Sequence, residues 1–218
     1  MKVLVACEES QRVCTSFRER GHEAYSCDIV EPSGEHPEWH IMHDVVPILD
    51  GYCEVETLDG EKHVIDGRWD LIIAHPPCDN LAISGARWFP EKQKDFRQQK
   101  SIVFFMYFAL AKCEKIAVEN PIGIMSSIYR KPDQIIQPYE FGHPESKKTC
   151  LWLTGLPLLV PTNILQRPEN GVWENQTYEH QNRLIVDGRW IGYNDPRTKR
   201  ERSKTYPGIA EAMAEQWG

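Results

Sequence analysis

The stretch from Asp70 to Asp79, Asp-Leu-Ile-Ile-Ala-His-Pro-Pro-Cys-Asp, constrains the fold more than any other part of this chain. A short apolar run ends in a Pro-Pro corner, and the corner presents a cysteine. A continuous apolar run bounded by turn residues is the pattern of a parallel strand buried on both faces. Proline has no N–H to give to a ladder, so the strand stops near Ala74. Open α/β sheets bind their ligands at the carboxyl ends of such strands. Cys78 therefore stands where a thiol can reach a ligand, although a merely buried cysteine beside a proline turn has the same local sequence.

The same pattern recurs along the chain. Lys2–Ala6 reads as a first buried strand, Cys7-Glu8-Glu9-Ser10 as a turn and Gln11–Arg20 as a helix closed by Gly21. Glu23–Cys27 reads as a second strand ending at Asp28, and His40–Val45 as a third, with Asp44 at its end. Strand, turn, helix, strand and a terminal acid make up the nucleoside-binding half of a Rossmann-type sheet. Residues 46–67 read as a helix or hairpin insertion, and Asp95–Lys112 as the clearest helix. Lys115–Val118 is a further strand that delivers Glu119-Asn120-Pro121, Thr149–Leu153 another, and Ile209–Gln216 a closing helix. The fold class expected is α/β: a doubly wound, mostly parallel sheet in a single domain with a small irregular C-terminal lobe. Residues 1–153 form the main unit, 154–205 the lobe, and 206–218 a helix returning to the main unit.

Composition narrows the function classes. In 218 residues no apolar run approaches the roughly 20 needed for a membrane span. Glu8 and Glu9 interrupt the N-terminal apolar run too early for a signal peptide. Seven cysteines without regular pairing fit free thiols in a reducing cytoplasm. A net charge of −7 argues against binding DNA by bulk charge, so a nucleic-acid contact needs a local basic patch. Arg197, Lys199, Arg200, Arg202 and Lys204 crowd one stretch, readable equally as a solvated loop or a phosphate contact. His36, His40 and His43 surround Pro37 and a strand, a poor frame for a metal, and no metal is expected.

Pro76-Pro77-Cys78 after one strand and Glu119-Asn120-Pro121 after the next, in this order, resemble the cytosine carbon-5 methyltransferase family, most closely its short phage-type members. Phe141-Gly142-His143-Pro144-Glu145-Ser146-Lys147-Lys148-Thr149 is similar to that family's aromatic-Gly-x-Pro-Gln-x-Arg-x-Arg stretch. Tyr206-Pro207-Gly208 is similar, more weakly, to its closing motif. The resemblance implies transfer of a methyl or modified methyl group to cytosine in DNA through a covalent Cys78 adduct. It implies S-adenosylmethionine, or a carboxylated or otherwise modified form of it, as cofactor, and the cytoplasm of a bacterium or phage-infected host as location. Glu119, Asn120, Lys147 and Thr149 join Cys78 in the catalytic set. Ala6, Cys7, Glu8, Glu9, Ser10, Asp28, Ile29, Asp44, Val45 and Pro76 fall on the cofactor side, with Glu8 and Glu9 readable also as helix N-terminal acids complementing the dipole. Pro77, Ser84, Arg87 and Pro121 fall on the substrate side, with Trp88 and Phe89 either a lid or packed on the body.

The chemistry explains the residue types. Thiolate attack at ring carbon 6 splits a difficult methylation into two easier steps. An acid at ring nitrogen 3 stabilises the displaced charge, which requires Glu119 to have a pKa raised by burial. Cys78 requires the opposite, a pKa lowered by nearby positive charge from Arg87 or Lys147. The departures also carry information. The family's glycine-rich cofactor turn is here Ala6-Cys7-Glu8-Glu9-Ser10-Gln11, Asp79 follows the cysteine, and Lys147 and Thr149 replace two arginines. Little chain separates Leu153 from Tyr206 to recognise a duplex. Single-stranded DNA or a free cytidine nucleotide is thus an alternative acceptor, a homo-oligomer could complete the site, and a non-catalytic nucleotide- or DNA-binding homologue is the remaining alternative.

Overall fold

The computed structural model describes residues 1–176, 185–186, 189–192 and 195–218. Among them, seven strands form one sheet. They are β1 (Lys2–Ala6), β2 (Glu23–Asp28), β3 (His40–Met42), β6 (Leu71–Ala74), β7 (Ile116–Pro121), β8 (Gln134–Ile136) and β9 (Thr149–Thr154), while β4 (Cys53–Glu56) and β5 (Lys62–Ile65) make a separate hairpin. The order across the sheet is β3-β2-β1-β6-β7-β9-β8. All neighbours pair in parallel except β9, which runs antiparallel to both β7 and β8. This is an α/β fold with a seven-stranded, mixed but mostly parallel sheet.

The central strands are apolar on both sides because both sides are covered. On one face Leu4, Ala6, Ile72, Ala74, Ile116 and Val118 pack with Phe105 and Phe108 of α3 (Arg97–Ala109) and with the hairpin's Val55 and Ile65. On the other, Val3, Val5, Leu71, Ile73 and Ala117 meet Val13 and Phe17 of α1 (Arg12–Glu19) and Ile209, Met213 and Trp217 of α6 (Pro207–Trp217). The alternation along each strand thus feeds two cores.

Several expected boundaries shift. The third strand ends at Met42, leaving Asp44 on an exposed bend. The 46–67 insertion is mainly the β4–β5 hairpin. Glu119-Asn120-Pro121 lie inside β7 rather than after it, because β9 pairs with them as far as Pro121↔Thr149. β8 has no counterpart in the sequence reading: Gln134–Ile136 is too short to signal itself and is held by pairing with β9. Residues 83–88 form a 3-10 turn leading into α2 (Phe89–Lys94), and a single turn, α4 (Met125–Ile128), follows β7. Between Thr154 and Arg202 the backbone is largely irregular, and part of that stretch lies outside the described residues. The basic stretch includes a helix, α5 (Pro196–Ser203), capped by the Asp195 side chain accepting from Arg197 N.

Candidate active site at the strand ends

The parallel strands β1, β2, β3, β6 and β7 end along one edge of the sheet. β6 is carried one residue further by His75 N donating to Ala6 O at 2.9 Å, before Pro76 and Pro77 turn the chain away. Cys78 follows, only partly exposed. Its loop is then fastened to the segment after β7. Leu81 N and Ala82 N donate back to Cys78 O, both at 2.9 Å, Ile83 N donates to Ile122 O at 3.0 Å, and Ile124 N to Leu81 O at 3.0 Å. Gly123 permits this approach, since a Cβ there would lie 2.2 Å from Leu81 O. Asn120, buried in β7, donates from Nδ2 to Pro76 O at 2.8 Å and so ties the Pro-Pro-Cys and Glu-Asn-Pro motifs directly.

Register explains the next contact. Ala74 pairs with Val118, so the following residues, His75 and Glu119, are cross-strand neighbours. His75 Nδ1 lies 2.7 Å from Glu119 Oε2, and the two side chains are only 10% and 17% exposed. Sequence reasoning assigned His75 no role; its position one residue past the strand, level with Glu119, was the available signal.

The electrostatics reverse two expectations. Burial pulls the Glu119 carboxyl upward, but the His75 hydrogen bond and charge, with Lys147 behind them, outweigh it and hold the pKa below the usual carboxylate value. Glu119 is therefore not the raised acid that burial alone would make. The Cys78 thiol is raised, not lowered: burial is the main cause, Asp79 and Glu119 add to it, and Lys147 opposes. Arg87 is not among the charges acting on Cys78. Its guanidinium lies 5.1 Å from the Trp88 ring centre on the exposed 83–88 turn, where Ser84 is exposed too. Lys147 is anchored by donating from Nζ to Arg202 O at 2.9 Å, while its charge reaches His75, Glu119 and Cys78. Thr149 is buried beside Pro121, its hydroxyl donating to Lys147 O at 3.3 Å. Pro77 is exposed at the corner, and Pro76 is buried.

The cofactor-side residues separate into two groups. Glu8 faces inward. Its carboxylate accepts from Val13 N at 2.6 Å and Cys14 N at 3.1 Å, saturating the first amides of α1 in place of a side-chain N-cap. Ser10 Oγ donates to the same carboxylate at 3.4 Å. At 3% exposure Glu8 builds the turn instead of presenting a carboxylate: of its two expected roles it takes that of the helix N-terminal acid, which corrects its placing as a cofactor contact. Ala6 and Val45 are buried likewise. Cys7 takes a left-handed conformation, φ 58°, which the missing glycine would have adopted more easily.

Facing outward are Asp28, partly exposed at the end of β2, Ile29 at 75% exposure, and Asp44 on its bend. Burial raises the Asp28 pKa against the pull of the Val30 and Ile29 amides and His40, with Glu9 raising it further. Both acids act on the Cys7 thiol, so they flank the same turn. Glu9 pairs through Oε2 with Arg200 of α5 at 2.8 Å and accepts from Ser33 N at 3.2 Å, while its buried Oε1 has no partner among the described residues. Two carboxylates at adjacent strand ends, an exposed apolar residue between them and an orphaned acceptor on the turn suit a nucleoside with a cationic amino-acid tail.

The histidines of the 36–43 stretch are engaged locally. His36 pairs with Glu38, His40 sits between Ser26 Oγ and Val30 O, and His43 bonds Asp44 O. A concavity of about 460 Å³, lined by Val46, Leu49, Ile102, Met106, Tyr107 and Leu110, borders none of the predicted site residues. No helix among the described residues is long and apolar enough to cross a membrane.

No protein-family model matches the chain, and no curated protein matches it by sequence. Among solved structures, it is similar to a prophage-encoded E. coli protein provisionally described as a DNA modification methyltransferase. The two share 16% identity, with a TM-score of 0.48. The match covers 76% of this chain and 52% of the other, so the chain spans about half that protein's length.

Proposed function

We propose that the chain is an S-adenosylmethionine-dependent transferase acting at carbon 5 of cytosine in DNA, with Cys78 as nucleophile and Glu119 as the group at ring nitrogen 3. The observation that carries the reading is the fastening of the Cys78 loop to the strand bearing Glu119, through Asn120 and the paired 81–83 and 122–124 backbones. Thiol and carboxyl are thereby presented from adjacent strand ends with little freedom to drift apart, the preorganisation that covalent catalysis requires. Lys147 offsets negative charge as the thiol ionises and the ring takes up electrons. On the cofactor side, Asp28 would hold the ribose hydroxyls, Asp44 the adenine amine, Ile29 the adenine face and Glu9 the ammonium of the amino-acid tail. Once bound, S-adenosylmethionine supplies an electrophilic methyl group on sulfonium sulfur.

Labelled S-adenosylmethionine is offered with duplex DNA, single-stranded DNA and cytidine nucleotides, to wild type and to Cys78→Ser. Label on carbon 5 of cytosine from wild type alone supports the reading, the accepting arm names the substrate, and the product's mass names the group transferred. Equal transfer by Cys78→Ser removes the thiol from the mechanism. Binding of nucleotide or DNA without transfer in any arm replaces the enzyme reading with that of a binding protein.

A further inference from the structure

His75 is enclosed, and one side of its ring is engaged. Nδ1 contacts Glu119 Oε2, while Nε2 is buried with no hydrogen-bond partner among the described residues. The charged groups facing the ring are Glu119 from β7, Glu8 from the turn after β1, and Lys147 from the segment before β9. Two carboxylates against one ammonium favour the imidazolium. Although burial opposes it, the Glu119 hydrogen bond and charge, helped by Glu8, raise the His75 pKa above the ordinary value. Glu119 moves the opposite way. Both shifts move the pair's proton from Glu119 toward the neighbouring ring.

We infer that His75 and Glu119 work as one proton-holding pair, His75 being the positioning residue that orients Glu119 and stores the proton destined for the pyrimidine. This rests on the transferase reading above. As the Cys78 thiolate bonds to ring carbon 6, the C5–C6 π pair shifts to C4–C5 and the C4–N3 π pair moves onto nitrogen 3. Nitrogen 3 takes a proton from Glu119 Oε2, which receives one from His75 Nδ1. The pair passes from imidazolium–carboxylate to imidazole–carboxylate. Once the C4–C5 pair has bonded the transferred methyl group to C5 and the nitrogen-3 lone pair has re-formed C4–N3, the C5 hydrogen leaves as a proton to solvent water. Its bonding pair re-forms C5–C6 and expels the thiolate, and nitrogen 3 returns its proton to Glu119 and thence to His75, which restores the pair. A lone glutamate would have to be protonated near neutral pH, whereas an imidazole partner places the stored proton in that range naturally.

Two measurements test this. In the free protein, NMR titration of the His75 ring should give an imidazolium persisting above the ordinary histidine value, and Glu119→Gln should bring it down. A ring that titrates identically in both proteins overturns the pairing. In the transfer assay, His75→Gln keeps a donor toward Glu119 but cannot store the proton. It should lower kcat by about 10²-fold, in the range of general acid–base contributions, and move the alkaline limb of the kcat/KM profile to lower pH. Affinity for S-adenosylmethionine should stay unchanged. A wild type that transfers no methyl group removes both the reading and the inference. A transferring wild type matched in rate and profile by His75→Gln removes the inference alone. Should His75→Gln fail to fold, the alkaline limb is read in Glu119→Gln instead, where its persistence at the wild-type position is the overturning result.

Discussion

Replacing Gly123 with alanine tests whether the Cys78 loop is held by its backbone contact with the segment after β7. The added methyl would lie 2.2 Å from Leu81 O, 2.9 Å from Leu81 C and 3.1 Å from Ala82 Cα. All three are backbone atoms, so no side-chain rotation relieves the overlap. The loop must retreat by roughly 1 Å, a displacement that can cost about 10²-fold in rate at a preorganised site. Retreat stretches the Ile83 N to Ile122 O and Ile124 N to Leu81 O bonds, both 3.0 Å. Two such bonds at about 1 kcal/mol each, with about 1–3 kcal/mol of overpacking strain, predict a loss of about 3–5 kcal/mol. In a protein of this size that is a fall of about 6–20 °C in Tm. The assay pairs thermal or urea unfolding with iodoacetamide alkylation of Cys78 in the folded protein. Because Cys78 O accepts from Leu81 N and Ala82 N, a displaced loop should expose the thiol and speed its alkylation. A Gly123→Ala protein melting within a degree or so of wild type, with Cys78 alkylated at the wild-type rate, would refute the claim that this contact positions Cys78.

Four further outcomes are expected. Gly34→Ala places a methyl 2.3 Å from Gln11 Oε1, a side chain bonded to His36 O, His36 N and Ser26 Oγ; it should cost about 2–3 kcal/mol, and a double-mutant cycle with Gln11→Ala should give strong coupling, simple additivity being the contrary result. Asp28→Ala, at a partly exposed strand end, should weaken S-adenosylmethionine binding by about 10–100-fold with little change in Tm, measured by calorimetry. Cys78 alkylation should show its inflection above the ordinary thiol value; Lys147→Gln should raise it further and Asp79→Asn lower it, since these charges act on the thiol in those senses. The His75–Glu119 pair should stabilise the fold most between pH 4.5 and 6.5, the two ordinary values. The depressed Glu119 contribution is lost as pH falls through its folded value, and the raised His75 contribution as pH rises through its own. The stability difference between wild type and His75→Gln, followed by urea unfolding across pH, checks this.

The sheet was legible because each parallel strand has to be apolar on both sides. Leu71–Ala74 and Lys2–Ala6 can be little else, and their bounds were read within a residue. β8 was not legible, since three residues carry no usable period and Ile135 is exposed. The end of β7 was misread for a different reason. Pro121 suggests a stop, yet β9 runs antiparallel and pairs with Pro121 through Thr149. Antiparallel pairing is decided by a strand far downstream, and local sequence holds no trace of it.

The site shows a sharper version of that limit. Residue types and order pointed to Cys78, Glu119 and Asn120, and the structure sets their segments side by side. Protonation states depend on what stands across the sheet, and here the sequence reading failed twice. Burial of Glu119 predicted a raised carboxyl, but parallel register places His75 level with it, and a 2.7 Å contact reverses the sign. Cys78 was expected to be lowered by Arg87 or Lys147; the 3-10 turn carries Arg87 into solvent, Lys147 does act on the thiol from beside β9, and burial still raises it. Glu8 shows the same limit: the sequence left it between a ligand contact and a helix N-terminal acid, and it is committed to the amides of α1 because Gln11 enters the helix in a left-handed conformation and supplies no side-chain cap. In each case the deciding partner lies on another element. The useful rule for strand-end sites is to read, beside every candidate, the residue at the same level on the next parallel strand. That rule, applied to Ala74↔Val118, yields His75 opposite Glu119 before any side chain is placed.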